Sequence, residues 1–253
     1  MSVQGNLPSS SSNSLCPDIH LELFGMKAGI IRAAAEPETG TAAGLTWEFD
    51  RICEYVRGQY SFDSLRHWLP ISAVRKMFSV WGSDPSKYRP SSEALLRRVI
   101  KGKSIPRISN MVDIANIGAI ETGWPHGCYD CEKISGAVRF RRGNAGEQYE
   151  GIGRPLFRLE GRPVFSDSYG PFGSPVSDSR RTMVTRSSRE LLFIICAPES
   201  SSDSDLQGAV AKVIERLARW CTAGEVKSKI VGPAPEPSVH SQRTFPEQIE
   251  YRK

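Results

Sequence analysis

One run of seven apolar residues, Leu191 to Ala197 (LLFIICA), sets the frame for the whole chain. It falls well short of the roughly 18 apolar residues that a membrane span takes. It is continuous rather than alternating, so it reads as a central strand. Just after it, Leu206 to Cys221 places Leu206, Val210, Val213, Ile214 and Leu217 on one helical face, which predicts a long amphipathic helix. Strand and helix periods mix along the chain without an internal repeat, and the expected fold is one α+β domain, a mixed or antiparallel sheet packed with helices.

A second stretch, Ile105 to Gly136, concentrates the polar residues that a core would have to accommodate. Ser109 to Thr122 predicts a helix closed by Gly123. Asp113 and Asn116, three apart, share one face of it among Met111, Val112, Ile117 and Ile120. Buried polar groups need partners, so this pair is either a structural network or part of a site. A Pro125-His-Gly-Cys-Tyr-Asp130 turn follows, then a strand from Ile134 to Arg142 with Val138 and Phe140 inward and Arg139 and Arg141 outward.

The remaining elements are read in order. Ile19 to Ala34 predicts one or two strands broken at Gly25 and Gly29. A helix is expected over Thr46 to Val56, capped by Thr46, and short helices over Asp63 to Trp81 interrupted at Pro70. Ser91 or Ser92 is expected to cap a helix ended by Gly102, with Leu95, Leu96, Val99 and Ile100 inward. Ile152 to Asp167 predicts a hairpin turning at Glu160-Gly161, and Ser168 to Ser179 a Gly/Pro/Ser loop. Residues 1–17 and 229–253 read as disordered tails around a domain at 18–228.

Composition narrows the function classes. Of 253 residues, 39% are hydrophobic and 24% charged, within the range of a soluble globular protein. The N-terminus has neither a basic n-region nor an apolar h-region, so a cytoplasmic protein without a membrane partner is expected. The net charge of +5 permits a polyanionic partner. The densest basic patch is Arg97, Arg98, Lys101, Lys103 and Arg107, with Arg89 just upstream. Six scattered cysteines do not resemble a disulfide framework, and Cys128-x-x-Cys131 lacks the second ligand pair of a structural zinc site. No metal and no cofactor are expected.

No dinucleotide, phosphate-loop, zinc-protease or nucleophile-elbow motif is present. Of four scattered histidines, only His126 lies in a chemically suggestive place. Asp130, Glu147, Asp167 and Asp178 sit at strand ends or in Gly-rich loops, where scaffolds present functional side chains. The loop from Tyr169 to Thr182 has glycines that let its backbone approach a ligand.

Together these residues resemble a known family. The segment Ser91 to Thr185 resembles the B3/B4 domain of the phenylalanyl-tRNA synthetase β subunit, and more closely its free-standing relatives. The resemblance is carried by Pro106, Arg107, Ile108, Asn110, Val112, Asp113 and Asn116. It continues through Pro125, Tyr129, Asp130, Lys133, Ile134 and Gly136, then Gly146, Glu147 and Asp167. YRPSSEALLRR and SDSRRT match the free-standing members. One departure is Gly127, where the synthetase turn has histidine and this chain has His126 beside it. The synthetase's substrate-sensing glutamate has Ser174 or Asp178 nearest to it.

The resemblance implies a trans-editing deacylase that hydrolyses the ester of a mischarged tRNA, with an arginine analogue such as canavanine on tRNA-Arg as one substrate. It implies catalytic roles for Asn116, Asp130 and Asp167, and for the backbone around Gly173 as oxyanion donor. Substrate contacts would come from Tyr129, His126, Glu147, Asp178, Arg181 and Thr182. Arg89, Arg97, Arg98, Lys101, Lys103, Arg107, Arg139 and Arg141 would hold tRNA phosphates. DNA is not an expected partner. A non-catalytic tRNA-binding module of the same fold and a small-molecule amino-acid binder or hydrolase are the alternatives.

Overall fold

A strand buried along its length needs a neighbour on each edge and packing on its faces, and this requirement orders the chain. The structure, a computed structural model, describes residues 17–35, 40–221 and 223–232. It opens with β1 (Ile19–Leu21) and β2 (Met26–Ala35), followed by α1 (Ala43–Gln59), α2 (Phe62–Leu65), α3 (Leu69–Val80), α4 (Ser91–Ile100) and α5 (Asn110–Thr122). The strands β3 (His126–Asp130), β4 (Val138–Arg142), β5 (Gln148–Gly151), β6 (Arg154–Arg158), β7 (Pro163–Asp167) and β8 (Gly170–Gly173) come next. The chain closes with β9 (Glu190–Pro198), α6 (Asp203–Trp220) and β10 (Ala223–Val231).

The LLFIICA run is β9, buried from Leu191 to Pro198. It lies inside an antiparallel sheet of order β10-β2-β9-β3. A second sheet, β1-β4-β7-β8, pairs β1 with β4 in parallel and the rest antiparallel. Its Phe140, Phe165 and Phe172 join the core that contains β9, so the two sheets and the helices make one α+β domain. β5 and β6 form a separate two-stranded ribbon.

Against the first sheet, α6 packs on β2 and β9, and α5 packs on α1, α4, α6 and β3. Nearly every side of α5 is therefore covered, from Met111 to Ile120, and Asp113 is fully buried. Its end is closed by Gly123 in the left-handed conformation, as expected, and its start is capped by the Ser109 side chain, which accepts the Val112 N–H.

Several elements differ from the sequence reading, each for a tertiary reason. Gly29 does not break a strand but lies inside β2, where a Cβ would come within 2.7 Å of Val210 on α6. Glycine there permits the close approach of the helix. The helix expected from Thr46 begins a turn earlier, because the Asn110 side chain accepts the Ala42 N–H at 2.7 Å and caps α1 from outside. Neither Ser91 nor Ser92 caps α4; Pro90 precedes it and the Ser91 N–H donates to Pro175 O.

Pro70 opens α3, a position where its missing N–H costs nothing. The expected turn at Pro125–Asp130 is strand β3, an edge strand recruited by β9. Glu160-Gly161 does turn, yet β6 and β7 do not pair; they go to β5 and to β4 and β8. The expected loop after Ser168 contains β8. The tails at 1–16 and 233–253 lie outside the described residues, and the expected domain end at 228 falls within β10.

Candidate functional site

A cavity of about 540 Å3 opens between α5, β3 and the segment 183–186. The first wall is set by helix periodicity: Ser109, Val112, Ala115 and Asn116 lie on one side of α5. The second comes from His126 and Cys128, two apart and therefore on the same side of β3. The third is Met183, Val184, Thr185 and Arg186, held beside β3 by the Asp130 N–H donating to Thr182 O at 2.9 Å and by a Tyr129–Met183 bridge. Ile108 and Ile152, 58% and 45% exposed, stand at the mouth, and Arg107 and Asp178 complete the lining.

Asp178 is the acid of this cavity. Its Oδ1 accepts the Tyr129 hydroxyl at 2.7 Å and the Ser174 N–H at 3.4 Å, while Oδ2 has no hydrogen-bond partner among the described residues. Burial pushes the carboxyl from its ordinary 3.8 up to about 7, against the opposing pull of those two hydrogen bonds. Tyr129 is itself fully buried and its hydroxyl is raised well above the tyrosine range, chiefly by burial and then by the charge of Asp178. Its ring meets Phe172 edge-on at 5.1 Å.

The loop that carries Asp178 is fixed from within. The Ser174 hydroxyl donates to Ser177 O at 2.8 Å and accepts the Ser177 and Val176 N–H groups. Tyr149 also donates to Ser177 O. Ile152 N–H donates to Asp178 O at 3.0 Å, which ties the β5–β6 ribbon to the mouth.

The opposite wall carries two uncharged polar side chains, Asn116 and His126, among the apolar Val112, Ala115 and Cys128. Asn116 presents its amide to the cavity. His126 is driven down to about 3, first by burial and then by the charge of Arg216, so its imidazole is neutral. Its Nε2 lies 3.3 Å from the Thr122 hydroxyl, and its buried Nδ1 has no hydrogen-bond partner among the described residues. The ring rests on Gly118, where a Cβ would come within 2.5 Å. Gly127 has a comparable cause: the Tyr129 ring covers it and Gly173, and a Cβ on either would fall about 2.4–2.5 Å from the hydroxyl.

Of the residues picked out in the sequence, Asn116, His126, Asp178 and Arg107 meet at this cavity, with Tyr129 behind Asp178. The others are placed elsewhere. Asp130 accepts Ser188 Oγ at 2.7 Å and pairs with Lys133 at 2.9 Å, fastening the third wall. Asp167 takes a two-pronged bond from Arg181, which also donates to Lys133 O. Glu147 is held by both arms of Arg141 and by the Asn144 N–H, and these bonds keep its carboxyl below the usual range. Thr182 is fully buried and bonded to Phe172 O.

Gly173 ends β8 and does not line the cavity, and the N–H groups of Ser174, Val176 and Ser177 are spent within the loop. Those loop amides are therefore no oxyanion hole. Residues the sequence reading did not select are Ser109, Cys128, Thr185 and Arg186. Val112 signalled itself through the family pattern, whereas nothing in the local sequence marked Arg186.

The basic patch is also redrawn. Arg97 pairs with Glu93 at 2.8 Å, Arg107 with Asp50 at 2.6 Å, Arg139 with Glu22 and Arg141 with Glu147. Arg89 stands 3.9 Å from Glu93. Arg98, Lys101 and Lys103 have no acidic partner among the described residues. Also among these residues, no cluster of three or more His, Cys, Asp or Glu could hold a metal ion, and no helix is long and apolar enough to cross a membrane.

No curated protein matches the chain. Among solved structures it is similar to an N-terminal fragment of the phenylalanyl-tRNA synthetase β-subunit from Pyrococcus horikoshii. The identity is 13% and the TM-score 0.39, over 84% of this chain and 50% of that one. The chain thus spans about half the length of that fragment. Residues 73–219, more than half of the 253, match the B3/4 domain model. On that match, the chain belongs to the B3/4 domain family.

Proposed function

We propose that this chain is a trans-editing deacylase, which hydrolyses the ester joining a wrongly chosen amino acid to the 3′ end of a tRNA. The observation that carries the reading is Asp178: a half-buried carboxyl, pushed up to about 7, in the lining of a cavity of about 540 Å3. A base works best when its pKa lies near the working pH. The cavity volume falls within the usual range for sites that enclose a small ligand, ~300–1,000 Å3.

An aminoacyl ester is already activated, so the site has to position water and receive charge. Oδ2 of Asp178 takes a proton from water as its oxygen bonds to the acyl carbon. The Asn116 amide N–H faces the charge that develops on the carbonyl oxygen. Collapse breaks the ester bond, and the proton on Asp178 passes to the leaving ribose oxygen. Arg186, exposed and without an acidic partner among the described residues, places positive charge at the mouth for the terminal phosphates. Lys101 and Lys103 lie on the connection from α4 to the cavity and extend that charge along the tRNA. A cytoplasmic place of action, where charged tRNA is found, belongs to the same reading.

An arginine analogue would need its own carboxylate. Of the two named for it, Glu147 is closed by Arg141, and Asp178 alone remains. The test is release of amino acid from a panel of correctly and wrongly charged tRNAs. At least one ester should be cleared well above the uncatalysed rate. Asn116→Ala should lower that rate about 100-fold or more, the scale of a lost oxyanion donor, with unchanged circular dichroism. Binding of tRNA without release of any amino acid would refute the enzyme.

A further inference from the structure

The charge balance of the cavity bears on which amino acid it takes. Its lining contains one carboxylate, Asp178, and two guanidinium groups, Arg107, which is paired with Asp50 at 2.6 Å, and Arg186, which has no acidic partner among the described residues. The other acids singled out in this region are closed: Glu147 by Arg141, Asp130 by Lys133 and Ser188, Asp167 by Arg181. His126 is neutral, and Asn116 offers one carbonyl oxygen. The most enclosed apolar lining is Ala115 and Val184, flanked by Val112, Cys128 and Met183.

A guanidinium or ammonium brought into this space has a single carboxylate to answer it. On the deacylase reading proposed above, that carboxylate is the base. A cation seated on Oδ2 would hold Asp178 ionised and occupy the oxygen that must face water. The same cation would share the cavity with Arg186, whose like charge opposes it. A hydrocarbon side chain meets none of these conflicts and finds an apolar wall.

Resting on that deacylase reading, we propose that the cavity accepts the ester of an amino acid with an uncharged, apolar side chain and rejects cationic ones, arginine analogues included. Two measurements on the full wild-type chain test this. The first compares release of valine, leucine and methionine with release of arginine, canavanine and lysine, each from its charged tRNA. The apolar group should be cleared at least about tenfold faster, a margin a hydrophobic pocket can deliver. Equal or faster clearance of the cationic group overturns the proposal.

The second measures binding of hydrolysis-resistant 3′-aminoacylamido-adenosines, valyl against arginyl. The valyl compound should bind at least about tenfold more tightly. Equal or tighter binding of the arginyl compound, or no binding of either, overturns it. If the valyl compound binds selectively while no ester is cleared, the deacylase reading fails and the preference of the cavity stands.

Discussion

At the scale of single residues, the site rests on one half-buried carboxyl and the buried phenol behind it. Tyr129 fills the space left by Gly127 and Gly173 and donates to Asp178, so these four residues act as one unit. Burial raises the Asp178 carboxyl, and the Tyr129 bond lowers it by less. Tyr129→Phe removes the lowering bond, and the limb of the pH–rate profile assigned to Asp178 should move to higher pH. A limb that stays in place or moves down would contradict the pairing. The same shift has a stability consequence. A carboxyl raised from 3.8 to about 7 on folding takes up protons, so its favourable contribution is complete below about pH 4. That contribution is lost as the pH climbs through 7. Asp178→Asn carries no charge at any of these values. It should match the wild type in Tm near pH 4 and exceed it at pH 8 by about 3 °C or more, the equivalent of roughly 1 kcal/mol in a chain of this size.

At the scale of elements, α5 is the part on which the others register. Its Ser109 cap and its Val112–Ala115–Asn116 face build the cavity, while Asn110 reaches outward to join three helices. The Asn110 side chain accepts the Ala42 N–H at 2.7 Å and donates to Trp220 O at 2.8 Å, linking the start of α1 to the end of α6. Asn110→Ala strands a backbone group at each end, and urea titration should show a loss of about 2 kcal/mol or more. A loss below about 0.5 kcal/mol would show that the link carries no load. A gentler perturbation of the same helix is Gly118→Ala, whose added methyl meets the His126 ring. That overpacking should cost about 1–3 kcal/mol.

The helix itself was legible in the sequence because its cap, its apolar period and its terminal glycine are all local. So were β9, from its unbroken apolar run, and α6, from its stripe. The start of α1 was not legible, since its cap is a side chain 68 residues away. Nor was β3, since a short segment with Gly, Cys and Pro looks like a turn until β9 supplies the neighbouring edge. At the site, Asn116, His126 and Asp178 could be selected by residue type and position. The exclusion of Glu147, Asp130 and Asp167 could not, because each is closed by an ion pair that only the fold reveals.

At the scale of the whole molecule, the distribution of charge matters more than its sum. Most cations of the expected tRNA face are neutralised locally, which leaves Arg98, Lys101 and Lys103 leading toward Arg107 and the cavity mouth, where Arg186 stands. Lys103 is four residues from Arg107, within ~14 Å even if that segment were fully extended. The double change Lys101→Glu, Lys103→Glu should therefore weaken tRNA binding and reduce the salt dependence of the binding constant by about two counterions. An unchanged salt slope would place the tRNA elsewhere on the surface. In the deacylase proposed here, Asp178 is the base that hydrolyses the ester of a charged tRNA. The test of that role is single-turnover release of the preferred amino acid by the wild type and by Asp178→Asn, measured between about pH 5 and pH 9. The role predicts a wild-type rate that rises through a pKa near 7 and an Asp178→Asn rate lower by about 100-fold or more, without that limb. Equal rates, or the same limb persisting in Asp178→Asn, would contradict it.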